Sequence, residues 1–165
     1  MSGKPRVWIF GDDVNTDLII PGRYLDNYDP AHLASHAMEG ANKDFAARVS
    51  EGDIIVAGRN FGCGSSREQA VIALKRSGIQ AIVARSFARI FYRNAINLGL
   101  HVIVSGTADS VFKDGDSAVL EVEAGTLASI DGYKIAPLDK IPEHLRAILD
   151  HGGLIPHVKA KLEKN

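Results

Sequence analysis

A chain of 165 residues, 45% hydrophobic and 24% charged, has the size of one ordinary domain and can bury about two-thirds of its unfolded surface. One cysteine excludes a disulfide framework and a thiolate-held cluster within this chain, and a net charge of -1 gives no long-range field for nucleic acid or an anionic membrane. No apolar run approaches the ~18 residues of a membrane span, and VWIF, closed off by two aspartates, is too short for a secretory signal; a cytoplasmic location is the expectation.

In chain order, PRVWIF (5–10) reads as a strand and GDDVNTD (11–17) as a loop, which its acids make a site candidate. Asp29 and Pro30 predict an N-cap and first helical residue for a helix running to about Glu39, before Gly40. Asp44 to Val49 adds a helical turn. DIIVAG is then a strand, SREQAVIALKRSG a helix stopped by Gly78, QAIVARS a strand, FARIFYRNAINLG a helix ending at Gly99 and HVIVSG a strand. Two strand-helix-strand units imply parallel strands buried on both faces. Beyond Gly106, the segments SAVLEVE, LASI and YKIAP, separated by glycine turns, predict an antiparallel section packed on the first part. The end reads as one or two helices with a charged tail. The expected architecture is a single α/β domain over 1–165.

GRNFGCGSSREQA (58–70) joins a strand to a helix, the carboxyl-end position at which open α/β sheets bind ligands. Gly62 and Gly64 permit close backbone approach, the helix start offers free N–H groups and a positive dipole end, and Arg67 adds a planar fork for a carboxylate. The same spacing also fits a plain capping box, Ser65 with Glu68 or Ser66 with Gln69. If Ser66 caps, the Ser65 hydroxyl is left free. Spacing alone leaves the capped helix and the ligand site both standing.

GCGSSRE after NF, with DTDLIIPGRYL upstream and SFARIFYRNAINLGL downstream, resembles the aconitase family of hydro-lyases over about Val7 to Val104. The likeness is to its swivelling β/β/α C-terminal domain, which two-subunit members carry as a separate small subunit. The resemblance implies a large-subunit partner, in a heterodimer or heterotetramer, that binds a [4Fe-4S] cluster; this chain would bind no cofactor. It implies dehydration and rehydration of a malate-type dicarboxylate. Isopropylmalate in leucine biosynthesis is the first expectation; homoaconitate, citraconate and dimethylmalate are the alternatives.

By motif match, the resemblance makes Ser65 the base that takes a carbon-bound proton, Arg67 a carboxylate anchor and Asp17 the partner of a histidine on the other subunit. Ser66 would be the helix cap and a backbone donor, Gly64 would give close backbone approach, and Arg23 would be a second carboxylate clamp; a solvated arginine is the plain alternative for Arg23. Tyr24, Leu25, Asp26 and Asn27 open the YLDNYD segment, where the family places a mobile substrate-reading loop. The absence of arginine there argues against a further carboxylate. Gln69 departs from the family's usual histidine.

Among the other residues, Asp12 and Asp13 read as turn formers, Cys63 as a small packed residue and the His32/His36 pair as surface or packing. Arg85, Arg89 and Arg93 read as a helix stripe packed against the large subunit or the sheet. A stand-alone anion- or RNA-binding module is the competing class of function. An isolated subunit is expected to form a homodimer through the face left open.

Overall fold

The computed structural model describes residues 3–164. Four parallel strands, β1 (Val7–Ile9), β2 (Ile54–Ala57), β3 (Ala81–Ala84) and β4 (His101–Val104), lie in the order β1-β2-β3-β4. Side chains alternate across a strand, so Ile55, Ala57, Ile82, Ala84 and Trp8 enter one core, while Val7, Ile54, Val56 and Val83 enter another. Both faces are therefore covered, which is why these strands read as unbroken apolar runs.

The helices on the Trp8 face include α2 (Pro30–Ala34), α3 (Phe45–Arg48), α4 (Glu68–Arg76) and α5 (Arg89–Asn97), which contribute Leu33, Phe45, Leu74 and Phe91 to its core. The other face carries α6 (Ala108–Val111) and an antiparallel sheet of β5 (Ala118–Glu121), β6 (Thr126–Ser129) and β7 (Ile135–Pro137), whose Ala118, Leu127 and Ala136 point inward with Phe112. The result is three layers, β/β/α, as expected. Two helices, α7 (Glu143–Asp150) and α8 (Leu154–Glu163), finish the chain, with α7 against α5. No helix among the described residues is long and apolar enough to cross a membrane.

The predicted helix stops hold. Gly78 and Gly99 adopt positive φ, +107° and +81°. After α4, Ile79 N–H donates to the Leu74 carbonyl and Gly78 N–H to Lys75; after α5, Leu100 and Gly99 repeat the pattern with Ala95 and Ile96. These are Schellman closures.

Two expectations near the N-terminus need correction. The loop reading of GDDVNTD extends too far: α1 (Thr16–Ile19) begins inside it, with the Asn15 side chain accepting from Leu18 N–H at 2.9 Å, so Asp17 sits in a helical turn. The helix expected from Pro30 to about Glu39 stops at Ala34. Met38 turns to φ +58° and donates its N–H to the Ile19 carbonyl at 2.7 Å, and Gly40 donates to Leu18. A Cβ on Gly40 would stand 2.7 Å from Leu18 Cα; tertiary hydrogen bonding to α1 outcompetes continuation of the helix.

Candidate active site

Beyond β2 the chain turns at Asn60 (φ +61°) and links two neighbours. Gly62 N–H donates to the Val14 carbonyl and Thr16 N–H to the Cys63 carbonyl, while Phe61 bonds to Ser86 and Ala88 on its other side. GCGSSRE is thereby held between the start of α1 and the start of α5. Gly62 (φ +84°) lies against the Phe91 ring, and Gly64 (φ +96°) turns the chain beside Thr16.

The turn opens on a cleft of about 220 Å³ whose walls include Thr16, Gly64, Ser65, Ser66, Arg67 and, from α5, Arg89, Ile90 and Asn94. The cleft lies at the carboxyl ends of β2 and β3 and receives the N-termini of both α4 and α5. Neither helix has a side-chain cap. Their first-turn N–H groups and dipole ends thus face a common opening and favour an anion.

The expected cap is overturned. Arg67, extended at φ -138° and ψ 104°, occupies the N-cap position of α4, and no serine bonds to the helix. The reason lies in what holds the loop: the buried Thr16 hydroxyl donates to the Ser65 carbonyl at 2.9 Å, and Asn94 Nδ2 approaches Ser66 Oγ at 3.5 Å. Ser66 therefore turns toward α5 instead of back over α4. Both serines are exposed, and the Ser65 hydroxyl has no hydrogen-bond partner among the described residues.

Arg67 is mostly buried, and its Nη1 donates to Asp17 Oδ1 and to the Ile20 carbonyl, each at 3.0 Å. Its Nε and Nη2 have no partner among the described residues. Asp17 Oδ1 also accepts from Gly22 N–H at 3.2 Å. The Arg67 hydrogen bond, followed by that of Gly22, holds the Asp17 carboxyl below its ordinary value. Asp17 is nonetheless largely exposed, so the pair is open to exchange.

The remaining expected site residues sit elsewhere. Arg23 does not line the cleft: Nη2 donates to Glu39 Oε1 at 2.8 Å, and the guanidinium lies 4.7 Å from the Tyr24 ring centroid. Tyr24 donates its hydroxyl to the same Glu39 oxygen at 2.7 Å and stacks on His36 at 3.6 Å. Leu25 packs on the main core, and Asp26 and Asn27 are exposed. His32 and His36 join this aromatic cluster, in keeping with the packing reading. Asp12 accepts from Arg59 N–H and Asp13 from Asn60 Nδ2, both organising the turn.

Among the described residues, no group of three or more His, Cys, Asp or Glu side chains is placed to hold a metal ion. The arginine stripe dissolves: Arg85 pairs with Asp109 at 2.8 Å while Arg89 stands at the cleft. Among the cleft residues that sequence reading missed are Thr16, Arg89, Ile90 and Asn94. The strand-end rule used for β2, applied equally to β3, points to the last three.

Residues 13–105 match the aconitase C-terminal domain family. The chain is 52% identical over 156 residues to the 3-isopropylmalate dehydratase small subunit 1 of Methanopyrus kandleri, spanning 94% of this chain and 92% of that relative. It is 53% identical over 158 residues to the methanogen homoaconitase small subunit of Methanothermobacter thermautotrophicus, spanning 93% and 89%. The crystal structure of 3-isopropylmalate dehydratase (leuD) from Methanocaldococcus jannaschii shares the fold at a TM-score of 0.91 and 50% identity, over 98% of this chain and 95% of that one.

Proposed function

The chain belongs to the aconitase C-terminal domain family, and we propose that it is the small subunit of a two-subunit hydro-lyase interconverting 2-isopropylmalate and 3-isopropylmalate in leucine biosynthesis. The observation that carries this reading is near full-length similarity, at 52% and 46% identity, to 3-isopropylmalate dehydratase small subunits of Methanopyrus kandleri and Wolinella succinogenes. The partner is a large subunit bearing a [4Fe-4S] cluster, in a heterodimer or heterotetramer in the cytoplasm; when isolated, this chain pairs with itself through the same open face. The thiol count and side-chain groupings here do not fit a cluster, and no step on this chain is routed through one. On the large subunit it would supply Lewis-acid assistance to the departing hydroxide.

On this chain, Arg67 offers Nε and Nη2 to a substrate carboxylate while Asp17 and Ile20 fix its third nitrogen, so the anchor is oriented before substrate arrives. The two uncapped helix starts add N–H donors for the same anionic substrate. Ser65, with a free hydroxyl beside that anchor, takes the proton from the carbon next to the carboxylate and returns it in rehydration. Asp17 keeps an exposed carboxylate for a histidine of the large subunit. Gly64 lets Ser65 and Ser66 stand at the opening. Tyr24 to Asn27 read the variable substituent, and Arg23, held on Glu39 at the base of that loop, reaches substrate only after leaving that carboxylate.

The homoaconitase reading has its own support in the 53% identity to the methanogen homoaconitase small subunit. Against it, YLDNYD offers no arginine for the extra carboxylate. The test is anaerobic reconstitution with the large subunit, iron and sulfide, followed by assay of isopropylmalate, homocitrate, citramalate and dimethylmalate, with each subunit alone as control. Dehydration of isopropylmalate is expected, with Ser65→Ala reducing kcat by 10²-fold or more, on the order of a lost acid-base group. Full turnover by Ser65→Ala would remove Ser65 from its role, and no dehydration of any substrate by the wild-type complex would overturn the enzyme reading.

A further inference from the structure

Thr16 is 3% exposed, yet its hydroxyl reaches out of the core to the Ser65 carbonyl at 2.9 Å. Its own backbone is fixed from the same segment, since its N–H donates to the Cys63 carbonyl at 2.8 Å. Two hydrogen bonds therefore tie one residue of α1 to both ends of the Gly64 turn. A trans peptide is planar, with its C=O and N–H pointing opposite ways. Holding the Ser65 carbonyl toward Thr16 thus directs the Ser66 N–H away from it, where no described residue accepts from that N–H. The Ser65–Ser66 peptide has no other hydrogen bond to set its rotation. Gly64, one residue upstream, adds backbone freedom to the turn, so this bond is the one that selects the orientation of that peptide.

We infer that Thr16 is a positioning residue: its buried hydroxyl sets the rotation of the Ser65–Ser66 peptide and so aims the Ser65 hydroxyl and the Ser66 N–H at the substrate. This rests on the hydro-lyase reading above for its catalytic consequence, though not for its structural one. Thr16 touches no reacting atom. It acts through Ser65.

The test compares Thr16→Ser, which keeps the hydroxyl, with Thr16→Ala and Thr16→Val, which remove it, in two measurements. In ¹⁵N relaxation of the full-length chain alone, wild type and Thr16→Ser should hold Ser65 to Arg67 at order parameters near ~0.85, and Thr16→Ala and Thr16→Val should let them fall toward ~0.6. In the reconstituted complex, the two hydroxyl-free variants should lose kcat by about 10-fold or more with KM within about 3-fold, and Thr16→Ser should restore kcat to within about 3-fold of wild type; such a loss is the size expected from a misaimed group. Should Thr16→Val not assemble, the Ser and Ala variants decide alone. Unchanged order parameters in Thr16→Ala, or equal kcat for Thr16→Ser and Thr16→Ala, overturn the inference. A loosened turn in Thr16→Ala, together with a wild-type complex inactive on every substrate, would support the structural role and count against the hydro-lyase reading instead.

Discussion

Gly62→Ala measures how tightly the turn before the serines is built. At φ +84° an alanine pays for left-handed backbone, about 1–2 kcal/mol. A Cβ there would also stand 2.1 Å from Phe91 Cγ, and Phe91 is 3% exposed in the main core. Overpacking of that kind adds about 1–3 kcal/mol, for a total of about 2–5 kcal/mol and a Tm lower by roughly 4–20 °C in a chain of this length. Gly64 is the internal control: its φ of +96° carries a similar backbone cost, but its Cβ would meet Thr16 Oγ1 at 3.4 Å, a contact that needs little adjustment. Urea unfolding followed through Trp8, the only tryptophan and 1% exposed, should show Gly62→Ala costing at least about 1 kcal/mol more than Gly64→Ala. In a Phe91→Ala background the Gly62→Ala cost should shrink to its backbone part, a coupling of about 1–3 kcal/mol. Equal costs at the two glycines, or no coupling to Phe91, would refute the steric argument.

Asp53, 2% exposed, accepts from Arg6 N–H, Trp8 Nε1 and Ser50 N–H at 2.9, 2.9 and 3.0 Å. Asp53→Ala orphans three donors and should cost about 3–5 kcal/mol, with changed Trp8 emission in the folded state; a loss under about 1 kcal/mol in urea unfolding would contradict this. For Asp17, the depressed pKa means that the carboxylate form is the one Arg67 and Gly22 stabilise. The pair is fully formed above the ordinary aspartate pKa and is lost only as pH falls through the lower folded value. Carboxyl ¹³C titration should therefore give a midpoint below 3.8, and Arg67→Gln should move it upward. Identical midpoints would mean the ion pair does not govern Asp17.

The layers were legible because their signals are local. VWIF, DIIVA, AIVA and HVIV are apolar on both faces since both faces are covered, and Gly78 and Gly99 mark helix ends that only positive φ allows. The misreadings share a different cause. Met38 leaves the helix for the Ile19 carbonyl, and the serines are drawn away from capping by Thr16 and Asn94, 49 and 28 residues distant in sequence. Each local preference is worth about 1 kcal/mol and is outweighed by a partner that proximity in sequence does not reveal. The site was half legible for the same reason: its β2 half carries a dense motif, whereas the α5 half contributes Arg89, Ile90 and Asn94, which look like ordinary helix residues.

Under the proposed hydro-lyase role, the exposure of Ser65 gives the partner subunit a part in the chemistry. A positive charge about 4 Å from a developing alkoxide is worth about 1 kcal/mol in bulk water and about 4 kcal/mol at an effective dielectric of 20. At an exposed serine such as Ser65, a neighbouring cation therefore stabilises the alkoxide by only about 1 kcal/mol. Even that is reduced by Asp17, whose carboxylate cancels much of the guanidinium field. A large subunit that covers the cleft changes both factors at once: it excludes water, strengthening every charge roughly fourfold, and a cationic group on its surface would draw Asp17 away from Arg67. On the proposed role, the Ser65 alkoxide would become accessible only in that closed arrangement, with the partner subunit and substrate both in place.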